Sequence, residues 1–140
     1  MSRRIKGLVE FEDDFGAVVR YVPHPNGGGL VSPGARVHED AWLAPTAYVE
    51  AGAVIGAGSH VGGGSWVDVG VLIGTGVVIG SKVHVGARTR VGDGARIGLG
   101  ARVGERVSIE PHAVVAEDQV VTDGSVVRAR SRRSGYERAA

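Results

Sequence analysis

The fold is decided by residues 53–80, which read AVIGAGSHVGGGSWVDVGVLIGTGVVIG. Every sixth residue of this stretch is aliphatic, and the same frame continues in both directions. The repeated positions are Val31, Val37, Leu43, Val49, Ile55, Val61, Val67, Ile73, Ile79, Val85, Val91, Ile97, Val103, Ile109, Val115, Val121 and Val127. The residue two places earlier is usually Ala or Ser, and the residue that follows is often Gly.

A period of six fits neither a helix nor a series of hairpins. Successive side chains of a strand point to opposite faces, so one aliphatic residue per short strand points inward. The small residue two places earlier also points inward, and Gly tolerates the dihedral angles of a turn. Three such strands make one coil of about eighteen residues that stacks on the next coil. The sequence therefore predicts an all-β, parallel β-helix.

Two segments sharpen a family resemblance. The repeat as a whole resembles the hexapeptide-repeat proteins, which implies a left-handed parallel β-helix of about 5.5 coils here and a homotrimer. Residues 42–56 (WLAPTAYVEAGAVIG) resemble the opening coil of γ-class carbonic anhydrases and their relatives. Residues 113–128 (AVVAEDQVVTDGSVVR) resemble the closing coil of those proteins and of hexapeptide acyltransferases. Both families usually continue with Gly-x-Pro-Ala, whereas this chain reads RARSRRSG over residues 128–135.

The two ends of the chain depart from the repeat. Residues 1–28 hold two β-rich runs around Glu12-Asp-Asp-Phe-Gly16 and then a Gly-rich linker, which predicts a β-hairpin that caps the first coil. Residues 29–128 are the predicted β-helix. Residues 129–140 form a basic tail, which we expect to be solvated or to contact an acidic partner. A protein partner at the hairpin or at the tail is the sharper alternative.

Composition excludes several classes of function. The sequence has no Cys, which removes thiolate nucleophiles and Cys-ligated metals. Its net charge of +1 does not demand a nucleic acid, and Tyr136 is the only aromatic residue of the tail, so we expect no nucleic-acid partner. The basic start lacks an apolar run, so we expect no signal peptide, no membrane partner, and a location in the cytoplasm or within a larger assembly.

The residue before each inward aliphatic position should point outward. One predicted outward column is Tyr48, Trp66, His84, Arg102 and Val120, and another is Trp42, His60, Val78, Arg96 and Val114. Exposed aromatic and aliphatic columns on a small prism indicate an interface, so we expect them at the trimer contact. The alternative is a ligand groove between subunits.

Resemblance to the acyltransferases implies a histidine base and a groove for the acyl donor. His84 and His60 are the candidate catalytic residues, with Trp66, Tyr48 and Trp42 nearby as candidate binding residues. Arg88 and Arg106 stack eighteen residues apart and are predicted to bind the phosphates of an acyl-CoA co-substrate, helped by Arg90 and Arg96. Glu50 and Asp68 stack likewise and are predicted to orient a histidine.

Resemblance to the γ-class carbonic anhydrases implies zinc held by three histidines, two of them five residues apart and preceded by Arg-x-Asp. The five histidines of this chain, His24, His38, His60, His84 and His112, include no such pair. Residues 65–68 (SWVD) occupy the place of Arg-x-Asp. We therefore expect no metal ligand set, and a zinc protein is the least favoured of the three functions considered.

The unbroken repeat decides the main functional prediction. Many hexapeptide acyltransferases interrupt the prism with a loop that builds the acceptor site, and none of the seventeen repeats here is interrupted. The sequence alone therefore favours a non-catalytic, trimeric structural or assembly module, scaffold-like or spike-like, that docks partners through its ends and needs no cofactor. The alternative is an acyltransferase that moves an acyl group from acyl-CoA or an acyl carrier to a small-molecule hydroxyl or amine. Whether the protein is an enzyme stays open at this point.

Overall fold

A computed structural model describes residues 9–12 and 18–130, with side chains from residue 20 onward. These residues form nineteen β-strands. The described part of the chain contains no helix and therefore no helix long and apolar enough to cross a membrane.

Seventeen of the strands are two residues long and wind into a triangular solenoid with three faces. The first face comprises β3 (Leu30–Val31), β6 (Tyr48–Val49), β9 (Trp66–Val67), β12 (His84–Val85), β15 (Arg102–Val103) and β18 (Val120–Val121). The second face comprises β4 (Arg36–Val37), β7 (Val54–Ile55), β10 (Leu72–Ile73), β13 (Arg90–Val91), β16 (Ser108–Ile109) and β19 (Val126–Val127). The third face comprises β5 (Trp42–Leu43), β8 (His60–Val61), β11 (Val78–Ile79), β14 (Arg96–Ile97) and β17 (Val114–Val115).

Strands of one face pair in parallel, and each residue lies beside the residue eighteen places later. His84 of β12, for example, pairs with Trp66 below it and Arg102 above it. Four-residue turns join the faces. We call the turn between the first and second faces the first corner, that between the second and third the second corner, and that between the third and first the third corner. The predicted all-β, parallel solenoid is confirmed, with five complete turns and two further strands.

The aliphatic positions of the repeat form the core, as predicted. Only those at the two ends, Val31, Val37 and Val127, are half-buried, and all the others are buried. Glycine is required where successive coils nearly touch. A Cβ added to Gly62 would lie 2.6 Å from the carbonyl carbon of Gly80, which no side chain tolerates. The period of six therefore reflects both apolar burial and close backbone stacking.

Buried hydroxyl groups tie neighbouring coils together at three corner positions. Ser65 Oγ donates to the carbonyl of Gly80 at 2.6 Å and accepts from the backbone N–H of Val83 at 3.0 Å. Ser59 and Thr89 make the same pair of contacts with their own upper coils. These side chains satisfy backbone groups that would otherwise be buried without partners.

The N-terminal strands continue the first face below the first coil. β1 (Val9–Glu12) pairs antiparallel with β2 (Val18–Pro23), and β2 pairs antiparallel with β3. The hairpin thus covers the edge that β3 would otherwise expose. The turn residues 13–17 lie outside the described part.

The segment predicted to be a plain linker, residues 23–29, also covers an edge. Asn26 O accepts from Leu43 N at 3.1 Å, and Gly29 N donates to Leu43 O at 3.2 Å, so the segment runs along β5 of the third face. His24 is buried there, with Nε2 2.9 Å from the carbonyl oxygen of Ala41. Of the predicted basic tail, residues 131–140 lie outside the described residues, and a partner there stays a prediction.

Candidate functional site

The first face carries the side chains that meet one another most closely. Tyr48, Trp66, His84 and Arg102 lie on successive strands and point outward, as the sequence predicts. Because neighbouring parallel strands lie about 4.8 Å apart, flat rings in this column come to stacking distance.

Trp66 and His84 stack face to face. Their ring centroids are 4.3 Å apart, and the ring planes differ by 15°. The side chain of His84 is 34% exposed, so the imidazole is partly open to solvent. The indole thus supports one face of a histidine that remains accessible.

Two carboxylates at the first corner hold these two rings by the same geometry, one coil apart. Glu50 Oε2 accepts a hydrogen bond from Trp66 Nε1 at 2.7 Å. Asp68 Oδ2 lies 3.2 Å from His84 Nε2, and its side chain is only 20% exposed. Each carboxylate precedes its ring by sixteen residues. Asp68 Oδ1 also accepts from the N–H of Val69 at 2.7 Å, which fixes the carboxylate.

The sequence prediction for the carboxylates needs a correction. Both were expected to orient a histidine, but only Asp68 contacts one, because Glu50 lies one coil lower, beside Trp66. The residue that sequence reasoning missed is Tyr21. Tyr21 belongs to the hairpin that was predicted to cap the first coil. Because it lies outside the six-residue repeat, the repeat does not predict which residue it contacts.

Tyr21 joins the site from strand β2. Its hydroxyl donates to Glu50 Oε1 at 2.9 Å, and its ring meets that of Tyr48 edge to face at a centroid distance of 5.5 Å. Burial, followed by the hydrogen bond and charge of Glu50, raises the pKa of Tyr21 to about 12. Tyr21 therefore stays a neutral donor to Glu50 over the physiological pH range.

A shallow groove of about 450 Å³ is lined in part by His84. Its polar lining consists of His84, Arg102, Glu105, Thr122 and Asp123. It is floored at the first corner by Gly86 and Gly104, which stand where Glu50 and Asp68 stand lower down. The histidine, a guanidinium group and carboxylates thus face one open space.

His60 has a different environment on the third face. Its ring lies 5.6 Å from that of Trp42 with a tilt of 37°, so the pair is not stacked face to face. Within residues 20–130 no carboxylate bonds to His60, because the residue sixteen places earlier is Ala44. Of the two histidines predicted as catalytic, His84 alone is oriented by a charged partner in the described chain.

The predicted arginines are spread over two successive coils. Arg88 and Arg106 occupy equivalent places at the first corner and have left-handed backbones, with φ of 60° and 53°. Arg90 lies on the second face and Arg96 on the third. Within one chain, the structure groups Arg88 with Arg106 and separates Arg96 from them.

No three His, Asp or Glu side chains come together to hold a metal ion in the part of the chain described. The predicted resemblance to γ-class carbonic anhydrases receives no support from this arrangement.

Comparison with known proteins places the fold. No family model matches the sequence, and no curated protein is significantly similar to it. Among solved structures, PerB from Caulobacter crescentus in complex with CoA and GDP-perosamine matches with a TM-score of 0.71 and 25% sequence identity. The match covers 72% of this chain and 49% of PerB.

The sequence repeats every six residues along the parallel solenoid, and in this fold the chain is similar to PerB. A second match, UDP-N-acetylglucosamine O-acyltransferase (LpxA) from Moraxella catarrhalis, has a TM-score of 0.56 at 18% identity, covers 69% of this chain and 49% of LpxA, and shows the shared fold alone. The chain spans about half the length of each of these two structures.

Proposed function

We propose that this hexapeptide-repeat protein is an acyltransferase that moves an acyl group from acyl-CoA to an amine or hydroxyl of a small molecule, with His84 as the general base. The observation that carries the proposal is the environment of His84. The imidazole is held between Trp66 and Asp68 and opens onto a groove. PerB, which has the same fold, was solved with CoA and a nucleotide sugar, and this supports the enzymatic alternative better than a non-catalytic module.

The geometry assigns a role to each nitrogen of His84. With Nε2 bonded to Asp68, the neutral ring carries its proton on Nε2, and Nδ1 is the basic atom. Nδ1 takes the proton of the acceptor as its nitrogen or oxygen attacks the thioester carbonyl. A new C–N or C–O bond forms, the C–S bond breaks, and the imidazolium returns the proton to the departing CoA thiolate.

Arg88 and Arg106 stay the predicted contacts for the phosphates of CoA. Both lie at the first corner, two residues beyond Gly86 and Gly104 of the groove. Guanidinium groups bind phosphate with two parallel hydrogen bonds, and an exposed pair loses affinity as salt rises.

A direct assay exploits the absence of cysteine from the sequence. A thiol-reactive dye reports every CoA thiol released, with no background from the protein, when acyl-CoA donors of several chain lengths are offered with amino sugars and hydroxylated sugars. We expect His84→Gln to lower the rate about 100-fold or more. The matched control is His38→Gln, an exposed histidine at the second corner, which should retain activity.

Two outcomes would contradict the assignment. If no donor loses its acyl group and none raises the melting temperature, the non-catalytic module is the correct function. If His60→Gln abolishes transfer while His84→Gln does not, the base lies on the third face.

An unbroken solenoid needs another surface to complete the acceptor site, and a second copy of the chain supplies one. We propose a homotrimer in which copies meet around the third corner. From residue 44 to residue 101 that corner carries one charged residue, Lys82, whereas the first corner carries five over the corresponding coils. Trp42 and Val78 are exposed on the adjoining third face, and Trp66 on the adjoining first face. Exposed apolar side chains on either side of a corner with a single charge favour close packing of copies there.

Val78 and Leu72 give a matched test of the trimer. Both are exposed aliphatic residues, 39% and 42%, at equivalent outward positions on the third and second faces. Val78→Arg should dissociate the trimer, because it buries an unpaired charge at the contact. Leu72→Arg should leave the mass at three times 14.4 kDa in light scattering. The opposite result would move the contact to the second face, and a monomeric parent protein would refute the trimer.

A further inference from the structure

We infer that Tyr21 and Glu50 are positioning residues that lock Trp66 beneath His84 and so fix the plane of the imidazole. The inference rests on the proposed function, in which His84 is the base. It assigns to the N-terminal hairpin a part in the active site beyond covering the first coil.

The contacts form a continuous chain from the hairpin to the imidazole. Tyr21 donates to one oxygen of Glu50 at 2.9 Å, and the other oxygen accepts from Trp66 Nε1 at 2.7 Å. Trp66 then stacks on His84 at 4.3 Å. Both carboxylate oxygens of Glu50 are engaged, so the carboxylate has one preferred orientation, and the indole follows it.

Two contacts restrain the imidazole of His84 in different directions. Asp68 bonds the Nε2 edge of His84 and limits rotation within the ring plane. Stacking on Trp66 sets the plane itself, but only if the indole is held flat. Within one copy 43% of the surface of Trp66 is exposed, so packing inside the chain does not by itself select one rotamer. The hydrogen bond from Glu50 removes that freedom.

Tyr21 is the buried end of this series of contacts. Tyr21 is 8% exposed and packs edge to face on Tyr48 of β6, the strand beyond β3. Its hydrogen bond therefore fixes the Glu50 carboxylate relative to strand β2. Preorganisation of this kind matters because a small displacement of a catalytic group lowers the rate of proton transfer.

Substitutions at Glu50 separate hydrogen bonding from charge. Glu50→Gln keeps both contacts, since its amide oxygen accepts from Trp66 and its amide nitrogen donates to the Tyr21 hydroxyl. Glu50→Leu keeps the size and loses both contacts. We expect Glu50→Leu and Tyr21→Phe to lower kcat about tenfold with KM little changed, and Glu50→Gln to restore most of the rate. Glu117→Gln, an exposed carboxylate at the far end of the third corner, is the control.

A fluorescence readout tests the chain of contacts without any substrate. The sequence has two tryptophans, so Trp42→Phe leaves Trp66 as the single reporter. In that background, the stacked imidazole of His84 should quench the emission of the indole, and His84→Gln should abolish that quenching. The charged groups that face His84 are Asp68, Arg102, Glu105 and Asp123.

Loss of the Glu50 contact should reduce the quenching amplitude at least twofold, because the rings separate. Glu50→Gln should preserve it. If Glu50→Leu leaves the amplitude unchanged, Glu50 does not position Trp66, whatever the activity. If the amplitude falls as expected but the protein transfers no acyl group, the positioning is correct and the proposed function is wrong.

Discussion

The imidazole of His84 lies on the indole of Trp66 with ring centroids 4.3 Å apart, because the two residues occupy the same outward position one coil apart. The solenoid brings them together without a loop or an insertion. The proposed role of His84 as a general base rests on this stacking, on the contact of Nε2 with Asp68 and on the partial exposure of the imidazole.

Asp68→Asn should lower the transfer rate about tenfold or more while leaving the melting temperature within a degree or two. The amide oxygen still accepts from Val69 N–H, so the turn persists. The partner that selects the tautomer of His84 loses its charge, and an amide can also present the wrong group to the ring. Steady-state rates of CoA release measure the effect. An unchanged rate would show that Asp68 does not orient the base.

Tyr21 should titrate about two pH units above an ordinary tyrosine. Its pKa is raised from about 10 to about 12 by burial and then by Glu50. Because the folded-state pKa lies above the unfolded value, the stabilisation is complete below pH 10 and is lost as the pH rises from 10 towards 12. The near-ultraviolet absorbance of phenolate, measured as the difference between the parent protein and Tyr21→Phe, reports this ionisation. A difference titration centred on pH 10 would contradict the Glu50 contact.

Ser65→Ala should destabilise the fold by about 1–3 kcal/mol, although it removes one atom from a position that tolerates Ala elsewhere in the repeat. The substitution leaves the N–H of Val83 and the carbonyl of Gly80 without the hydroxyl that satisfies both. Ser108→Ala, on the exposed side of the second face, should change stability by less than about 0.5 kcal/mol. Chemical denaturation of both variants gives the comparison, and equal effects would show that the buried hydroxyl contributes nothing.

The Arg106→Gly variant should be more stable to unfolding than Arg106→Ala by about 1 kcal/mol, because the φ of 53° at this position lies in the left-handed region. Arg90 should show the reverse order, since it lies in strand β13, where glycine weakens the structure. Each pair removes the same guanidinium group, so denaturation isolates the backbone effect. Both Arg106 variants should bind CoA more weakly, and CoA affinities equal to that of the parent protein would remove Arg106 from the phosphate site.

The sequence by itself determined the solenoid. A period of six with aliphatic, small and glycine positions admits one way to bury every aliphatic side chain, so the strands, the inward core and the outward columns follow from spacing alone. The same arithmetic placed Trp66 beneath His84 and Glu50 below Asp68, because stacking repeats every eighteen residues.

Only the tertiary structure decided which of these neighbours interact. Spacing does not predict that Glu50 contacts Trp66 or that Asp68 contacts His84. Both contacts run from the first corner to the first face, and they depend on the side-chain rotamers. Nor does it distinguish His84 from His60, whose equivalent corner residue is Ala44. Tyr21 was beyond sequence reasoning for a further reason. Its strand pairs antiparallel with the first coil outside the repeat, and no periodicity fixes the register of such a non-local contact.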